Sequence, residues 1–437
     1  MAAELRETGI AAIGAIPVTW KLERLNNVAE LFGRIGWQGL TSDEYTDEGA
    51  YLVTGTDFRD GYIDWSSCVH VSEERWEEAW QIKLQEGDLL ISKDGTIGKL
   101  AIVSDLPGHA SLNSGLMRIV PRSNGYVTKY LYYVLQTDVF YDWYREIDAG
   151  ASTIKHLFQG DFIHFVYPSP PIEEQKTIAE ELDKSTKELD HAINLVSRQL
   201  ETLDGYRKSL IQETVTKGLN HDAKLKPSGI DWIGDIPLGW SVRKTKHLAS
   251  ISSGSTPDRN DFDYWDGDIP WLKTGELQNN VIIGAEEGVT RKALRDYSLR
   301  MYDVDTVLVA MYGQGKTRGM TGLLGIPSTT NQACAALVAD RRLVKPKYLW
   351  LAFQAAYDAI REEAQGSGQP NLSADIIARF HIPLPPLSEQ EIIASYLLDK
   401  LPTVDRIIAG KRKQLETLRA QRQSLIYEYV TGKRRVV

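Results

Sequence analysis

The chain has 437 residues, which is too long for one ordinary domain and suggests two to four. Hydrophobic residues make up 42% and charged residues 25%, a composition that excludes a disordered or fibrous protein. The formal net charge of −9 argues against a simple nucleic-acid binder, so the distribution of charge along the chain matters.

The first twenty residues carry acidic side chains early and lack a basic leader with a continuous apolar core. We therefore expect no signal peptide, and no apolar run reaches the roughly 18 residues of a membrane span. Cys68 and Cys334 lie in different halves of the chain and suggest no disulfide framework. This cysteine usage favours a reducing cytoplasm.

Residues 1–167 form a first globular section, which we expect to be rich in strands with short helices. Its stretch "GDLLISKDGTIGKLAIV" (87–103) is typical of a strand, a glycine-containing loop and a second strand. The section is acidic, with a net charge of −10. This charge argues against a section that binds nucleic acid by itself.

Residues 168–219 form a first helical region. The proline-rich "PSPP" at its start suits an extended segment directly before a helix. Apolar residues then recur with heptad-like spacing, which predicts a long helix that packs along a seam against another helix. These seam residues are Leu189, Ile193, Val196, Leu200, Leu203 and Leu210.

Residues 220–382 form a second globular section that repeats the first. "GIAAIGAIPVTW" (9–20) recurs as "GIDWIGDIPLGW" (229–240), and Asn113 recurs as Asn331. The stretch "DTVLVAMYGQGKTRGMTGLLGI" (305–326) again predicts strand, glycine-containing loop and strand, with a longer loop. Loops that differ on matching strand frames are what two readers of different targets would show.

Residues 383–437 form a second helical region that closes the repeat. Between residues 168–217 and residues 383–432, 22 of 50 positions are identical without a gap. A period of about 215–220 residues fits whole domains and not solenoid repeats. The predicted seam residues of this second helix are Val404, Ile408, Leu415, Leu418 and Leu425.

The segment Asp399–Val437 is basic, with a net charge of +6. Its basic side chains have three alternative roles, which are to face DNA, a partner subunit or solvent. They are Lys411, Arg412, Lys413, Arg419 and Arg422.

The sequence "YGQGKTRG" (312–319) imitates a phosphate-binding loop. Such a loop needs a glycine five residues before the Gly-Lys-Thr, and Ala310 occupies that position. The following residues also favour a strand instead of a phosphate-facing helix, which argues against an ATP-dependent enzyme. No adenine-methylase motif is present, and the eight histidines have no metal-ligand spacing.

The duplicated motifs "PPIEEQ" (170–175) and "PPLSEQ" (385–390), with "GDLLI" (87–91), "TNQ" (330–332) and "GQPNLS" (368–373), resemble those of one family over nearly the whole chain. The family is the specificity (S) subunit of type I restriction–modification enzymes. The resemblance implies an α+β protein with a pseudo-twofold internal repeat. Two similar strand-rich target recognition domains are separated by two long helices packed as an antiparallel coiled coil.

The same resemblance implies a function without an active site in this chain. The two recognition domains would read a bipartite sequence in double-stranded DNA. The helices would dock two methyltransferase subunits, and restriction/translocase subunits would join the complex. S-adenosylmethionine, ATP and Mg²⁺ would belong to those partners, so no cofactor or metal is expected here.

Base readout needs donors and acceptors on loops that can approach DNA closely. For each candidate, stabilising a turn is an alternative to contacting a base. The DNA-binding candidates of the first section are Lys93, Asp94, Thr96, Lys99, Asn113, Ser152, Thr153 and Lys155. Those of the second section are Tyr312, Gln314, Lys316, Thr317, Arg318, Asn331, Gln332, Gln369 and Asn371.

Two further alternatives to this reading remain. The first is a scaffold with two ligand-binding domains on a coiled coil and no DNA role. The second is a specificity subunit that works with a methyltransferase alone, without restriction.

Overall fold

The fold is known from a computed structural model, which describes residues 4–34, 40–78, 80–123, 125–148, 155–313, 315–364 and 371–436. The chain divides into two compact units. Unit 1 comprises Met1–Ser197 and Lys413–Val437, and unit 2 comprises Arg198–Arg412. Each unit therefore contains one globular section and parts of both helical regions.

Unit 1 holds the first set of strands, which are short and separated by turns. They are β1 (Leu5–Glu7), β2 (Ala15–Pro17), β3 (Lys21–Arg24), β4 (Ala29–Gly33), β5 (Ala50–Val53), β6 (Phe58–Arg59), β7 (Tyr62–Ile63), β8 (Val69–Val71), β9 (Leu89–Ser92), β10 (Leu100–Ile102), β11 (Ala110–Leu112), β12 (Leu116–Pro121) and β13 (Val166–Ser169). The helices are α1 (Leu25–Val28), α2 (Glu73–Glu77), α3 (Thr128–Val134), α4 (Asp138–Asp148), α5 (Gln159–Phe162) and the long α6 (Ile172–Lys217), which continues into unit 2.

The largest sheet of unit 1 has the strand order β4-β12-β9-β10-β7-β6, and a second sheet has the order β11-β5-β8. Strands β9 and β10 pair antiparallel around the loop that follows Ser92. The buried face of the large sheet packs against α3 and α4 through apolar residues such as Ile91, Tyr130 and Phe140. The predicted strand–loop–strand unit of residues 87–103 is confirmed.

Unit 2 repeats these elements. Its strands are β14 (Leu225–Pro227), β15 (Asp235–Pro237), β16 (Ser241–Lys244), β17 (Ala249–Ser253), β18 (Trp265–Leu272), β19 (Asn280–Ile282), β20 (Glu287–Val289), β21 (Val307–Ala310), β22 (Thr321–Leu324), β23 (Thr329–Thr330), β24 (Cys334–Ala339) and β25 (His381–Leu384). Its helices are α7 (Arg291–Asp296), α8 (Pro346–Ala355), α9 (Tyr357–Glu362), α10 (Ala374–Arg379) and the long α11 (Leu387–Val430), which continues into unit 1.

The sheets of unit 2 have the orders β17-β24-β21-β22-β19 and β20-β18-β23. The larger sheets match strand for strand, except that unit 1 has the additional edge strand β6. In the smaller sheets, β8, β5 and β11 correspond to β20, β18 and β23. Strands β21 and β22 pair antiparallel around the longer loop, as predicted for residues 305–326. The duplication seen in the sequence is thus a duplication of topology.

The two long helices run antiparallel in both units. In unit 1, Ile178 and Leu182 of α6 share a core with Ile426 and Val430 of α11. In unit 2, residues 211 and 215 of α6 share a core with residues 393–401 of α11. The beginning of one helix therefore packs with the end of the other, as expected for an antiparallel pair.

An arginine–aspartate pair joins the helices at equivalent places. In unit 2, Arg207 Nε donates to Asp405 Oδ1 over 2.6 Å, and in unit 1 Arg422 Nε donates to Asp190 Oδ1 over 2.6 Å. Both arginines and both aspartates are 215 residues apart. From the sequence, Arg422 had three alternative contacts, which were DNA, a partner subunit and solvent. In the structure its side chain contacts the other long helix.

The eleven predicted seam residues are all at least half-buried. Val196, Leu200, Val404 and Ile408 are buried. The half-buried ones are Leu189, Ile193, Leu203, Leu210, Leu415, Leu418 and Leu425. Their burial agrees with the heptad spacing, and their part in pairing the two helices stays a prediction.

A glutamine of each "EQ" motif secures the start of its long helix. Gln175 Oε1 accepts from Val127 N over 2.9 Å, and its Nε2 donates to Pro170 O over 3.0 Å. In unit 2, Gln390 accepts from Lys345 N over 2.8 Å and donates to Pro385 O over 2.9 Å. Both glutamines are buried, so this part of the family motif is structural.

A tyrosine in each unit joins the strand before one long helix to the end of the other long helix. Tyr130 OH lies 2.8 Å from Pro168 O and 3.2 Å from Val430 O. Tyr348 OH lies 3.0 Å from Pro383 O and 3.2 Å from Val215 O. Burial raises the pKa of both phenols well above its usual value, so both remain hydrogen-bond donors.

Candidate nucleic-acid interface

Backbone hydrogen bonds gather the candidate loops of unit 1 at one edge of its sheets. Lys93 N donates to Gly115 O, and Leu157 N donates to Lys93 O, both over 2.9 Å. Asn113 N donates to Val53 O over 2.9 Å. The loop after β9, the turn before β12 and the segment before α5 therefore meet, although they are far apart in the sequence.

The same network recurs in unit 2. Met311 N donates to Ala333 O over 2.8 Å, and Leu372 N donates to Met311 O over 3.0 Å. Asn331 N donates to Leu272 O over 3.0 Å. Each bond joins residues that lie 215–219 positions after their partners in unit 1, so the two edges have one backbone design.

Asn113 and Asn331 shape the turns at these edges. Asn113 Oδ1 accepts from Gly115 N, and Asn331 Oδ1 accepts from Ala333 N, both over 3.1 Å. Asparagine reads adenine by accepting and donating at once, and these oxygens are already engaged. The turn-stabilising role is therefore observed for both residues, and their contact with a base stays a prediction.

The glycine loop of unit 1 is held mainly by Ser92, which the sequence did not single out. Lys99 N donates to Ser92 Oγ over 2.8 Å, and Gly98 N donates to Ser92 O over 3.0 Å. Thr96 and Lys99 are exposed, and Lys99 Nζ lies 3.4 Å from Gly55 O. Their side chains are thus available on a loop whose backbone is fixed.

Asp94 and His156 form a side-chain hydrogen bond and a backbone bridge across this edge. Asp94 is 44% exposed, so its carboxylate lies at the surface of the candidate interface. Lys155 is exposed next to this pair, and its Nζ lies 3.8 Å from Asp148 Oδ2. Ser152 and Thr153 lie outside the described residues.

The glycine loop of unit 2 is anchored by helix α9. Tyr357 OH donates to Lys316 O over 2.6 Å, and Arg361 donates to Arg318 O over 2.6 Å and to Gly315 O over 2.9 Å. Thr321 then begins strand β22, whereas a phosphate-binding loop would lead into a helix. The expectation that Gly-Lys-Thr is followed by a strand is confirmed.

The other candidates of unit 2 lie around this anchored loop. Tyr312 is 42% exposed, and Lys316 is exposed. Thr317, Arg318 and Asn371 are half-buried, and exposed Gln332 accepts a hydrogen bond from Thr256. Gln314 and Gln369 lie outside the described residues.

A cleft beside Asn331 contains residues that the sequence did not reveal. It has a volume of about 510 Å³, and Thr256, Arg259, Trp271 and Lys273 line it together with Asn331. These residues come from the segment before β18 and from the end of that strand. The similar "LVTG" (52–55) and "LKTG" (272–275) segments were the available sequence signal, because the second contains a lysine that the first lacks.

The two cysteines lie in separate hydrophobic cores, Cys68 in unit 1 and Cys334 in unit 2. Both cysteines are buried and unpaired, and burial raises the pKa of the Cys68 thiol to about 12. Within the described ranges, no three His, Cys, Asp or Glu side chains are placed to hold a metal ion. Among the same residues, no helix is long and apolar enough to cross a bilayer.

Comparison with known proteins gives a consistent result for both halves. Residues 17–196 and residues 237–417 match the family described as the type I restriction modification DNA specificity domain. A putative type I restriction enzyme specificity subunit, MjaX of Methanocaldococcus jannaschii, is 26% identical over 97% of this chain and 96% of its own length. The MjaIX specificity subunit of the same organism is 23% identical over 99% and 97%.

A solved structure also resembles the whole chain. It comes from work on the complex assembly and conformational transition of the type I R-M system. It superposes with a TM-score of 0.64 at 15% identity, covering 96% of this chain and 99% of the other. At that identity the likeness establishes the fold.

Proposed function

The chain belongs to the type I restriction modification DNA specificity family, and we propose that it selects the DNA sequence for a type I restriction–modification complex. Each unit reads one half of a bipartite target in double-stranded DNA. The observation that carries this proposal is the duplicated loop edge, where one set of backbone hydrogen bonds presents two different sets of side chains. The alternative of a scaffold without a DNA role has no support from the comparisons.

The subunit acts in the cytoplasm without an active site of its own. Two methyltransferase subunits dock on its long helices, and restriction/translocase subunits complete the assembly. S-adenosylmethionine, ATP and Mg²⁺ are bound by those partners. The matching sheet topology of the two units supports two equivalent docking positions.

The acidic first section implies a division of labour in DNA binding. Phosphate contacts dominate affinity, and they require lysines and arginines. Residues 1–167 have a net charge of −10, so the methyltransferase subunits supply most phosphate contacts and this chain supplies the sequence readout. Tight binding of the isolated chain to its target at physiological salt would contradict this division.

Methylation mapping tests the proposed function directly. The chain, co-expressed with the methyltransferase of its host, is expected to direct adenine methylation to a bipartite motif, detectable by single-molecule sequencing. A mobility-shift assay with the same complex is expected to show a shift specific for that motif. A complex that methylates no bipartite motif and shifts all DNA equally would refute the proposal.

A further inference from the structure

The cleft of unit 2 contains an arginine whose position is determined on several sides. Arg259 Cζ lies 3.8 Å from the ring centroid of Trp265 and 4.8 Å from that of Trp271. The two indole rings meet edge to face, with centroids 5.0 Å apart and an interplanar angle of 86°. A guanidinium between two such rings gains cation–π attraction and loses rotational freedom.

The tryptophans are themselves fixed by the segment that carries Arg259. Trp271 Nε1 donates to Ser255 O over 3.0 Å, and Trp265 Nε1 donates to Asp258 O over 2.9 Å. The nearby Gly254 lies so close to Thr330 that an added Cβ would be 1.8 Å from Thr330 O. The segment is therefore pressed against the turn that holds Asn331, and the arginine is part of the loop edge.

Two carboxylates neutralise the positive charge of the cleft. Arg259 Nη1 is hydrogen-bonded to Glu287, and Lys273 Nζ lies 2.7 Å from Glu287 Oε1 and 3.1 Å from Glu286 Oε2. The hydrogen bond from Lys273 is the main stabilising contact that lowers the pKa of Glu287, so this carboxylate is ionised at neutral pH. Because the carboxylates offset the positive charges, the cleft attracts phosphate only weakly. This argues against a role in binding the phosphate backbone of DNA.

The geometry points instead to recognition of a base. We propose that Arg259 reads a guanine of the target and that Glu287 and the two tryptophans orient its guanidinium; this inference rests on the proposed function. Within the described residues, Nε and Nη2 of Arg259 have no hydrogen-bond acceptor. Paired N–H donors of arginine match O6 and N7 of guanine in the major groove.

The arrangement is specific to unit 2. Val53 and Leu272 occupy equivalent places in the two networks, because each accepts from the asparagine of its unit. The residue after each is Thr54 in unit 1 and Lys273 in unit 2. Glu287 is paired with Trp271 across neighbouring strands of unit 2, and Val69 is paired with Leu52 at the equivalent place in unit 1. At these two described positions unit 1 thus has neither the lysine nor the carboxylate, and the guanine belongs to the half-site that unit 2 reads.

Methylation mapping of variants in the complete complex tests the inference. Arg259→Ala is expected to relax one guanine position in one half-site, with discrimination against other bases falling about tenfold or more, while the other half-site is unchanged. Arg259→Lys is expected to relax the same position, because an ammonium lacks the planar pair of donors. Glu287→Gln removes the orienting charge and is expected to weaken discrimination at that position to a smaller extent.

Arg342→Ala is the matched control. Arg342 pairs with Asp340 in the same unit but follows β24, at the end of that strand opposite to Asn331. The methylated motif and the methylation level of the complex with Arg342→Ala are expected to equal those of the wild type. Thermal unfolding of each purified variant verifies that it folds, and Arg259→Lys covers the case in which Arg259→Ala does not.

The possible outcomes separate the inference from the proposed function. An unchanged motif in both Arg259 variants would overturn the base-reading role. A uniform fall in methylation without a change of motif would also overturn it, because that result identifies a phosphate contact. If the wild type methylates no bipartite motif, the proposed function itself fails, and the inference fails with it.

Discussion

The loop edges of the two units share one backbone and differ in side chains. Lys93 and Met311 occupy the same place in the two networks, and so do Thr54 and Lys273. The carbonyl and amide groups that hold the loops are therefore independent of the residues that could face a ligand. A duplicated domain can acquire a second specificity in this way without changing the bonds that build it.

The interiors of the two units also differ, at a pair of positions on the large sheet. In unit 1, Arg118 Nε lies 2.6 Å from Asp88 Oδ2, and both side chains are more than 90% buried. Thr306, directly before β21, and Ala336 on β24 stand at the equivalent places in unit 2. Burial raises the pKa of Asp88 despite its partner, so the pair is costly to keep charged. The same pair of core positions thus holds an ion pair in unit 1 and two uncharged residues in unit 2.

The largest expected effect comes from breaking this buried pair. Arg118→Ala is expected to destabilise unit 1 by about 3–5 kcal/mol, because it leaves the Asp88 carboxylate buried without a cation. Amide hydrogen exchange of β9 and β12 measures the loss, and β21 and β24 of unit 2 serve as the internal control.

Copying unit 2 into unit 1 sharpens the same comparison. The double variant Asp88→Thr with Arg118→Ala is expected to recover most of the lost protection, since neither charge remains. If the double variant were less stable than Arg118→Ala alone, the two core solutions would not be interchangeable.

An intermediate effect is expected at the helix starts. Gln175→Ala and Gln390→Ala each leave a backbone N–H and a proline carbonyl without their partner, at a cost of about 1–3 kcal/mol. Two of the hydrogen bonds match in the two units, so similar losses are expected; a third goes to Ser169 Oγ in unit 1 and to Leu343 O in unit 2. Exchange rates at the first turns of α6 and α11 report them, and strongly unequal losses would break the structural equivalence.

The smallest effect is expected at the paired arginines of the long helices. Arg207→Ala is expected to cost about 0.5 kcal/mol, as is usual for partly exposed ion pairs. Arg422→Ala is expected to cost somewhat more, because Arg422 also donates to Gln136 Oε1 over 2.9 Å. Denaturant titrations at low and high salt measure both. The charge-reversed pair Asp190→Arg with Arg422→Asp should restore stability, and its failure would show that Gln136 provides most of the energy.

Much of the fold followed from local patterns in the sequence. The internal repeat, the strand–loop–strand units and the long helices rest on periodicity and on glycine and proline positions, which act over a few residues. The turn role of Asn113 was also foreseeable, because an asparagine side chain commonly accepts a hydrogen bond from the backbone two residues further on. The cleft of Arg259 was not, since its aromatic and acidic partners come from separate strands.

The sequence alone determined that this protein is internally duplicated, that each half ends in a long helix with heptad-like spacing, and that the chain closely resembles one family. The tertiary structure decided which segments meet. Lys413–Val437 completes unit 1, although it follows all of unit 2 in the chain. The tertiary structure also makes Val53 equivalent to Leu272. An alignment of the letters "LVTG" and "LKTG" would instead pair Val53 with Lys273. Periodicity is a local property, while hydrogen bonds between distant strands depend on how whole layers pack.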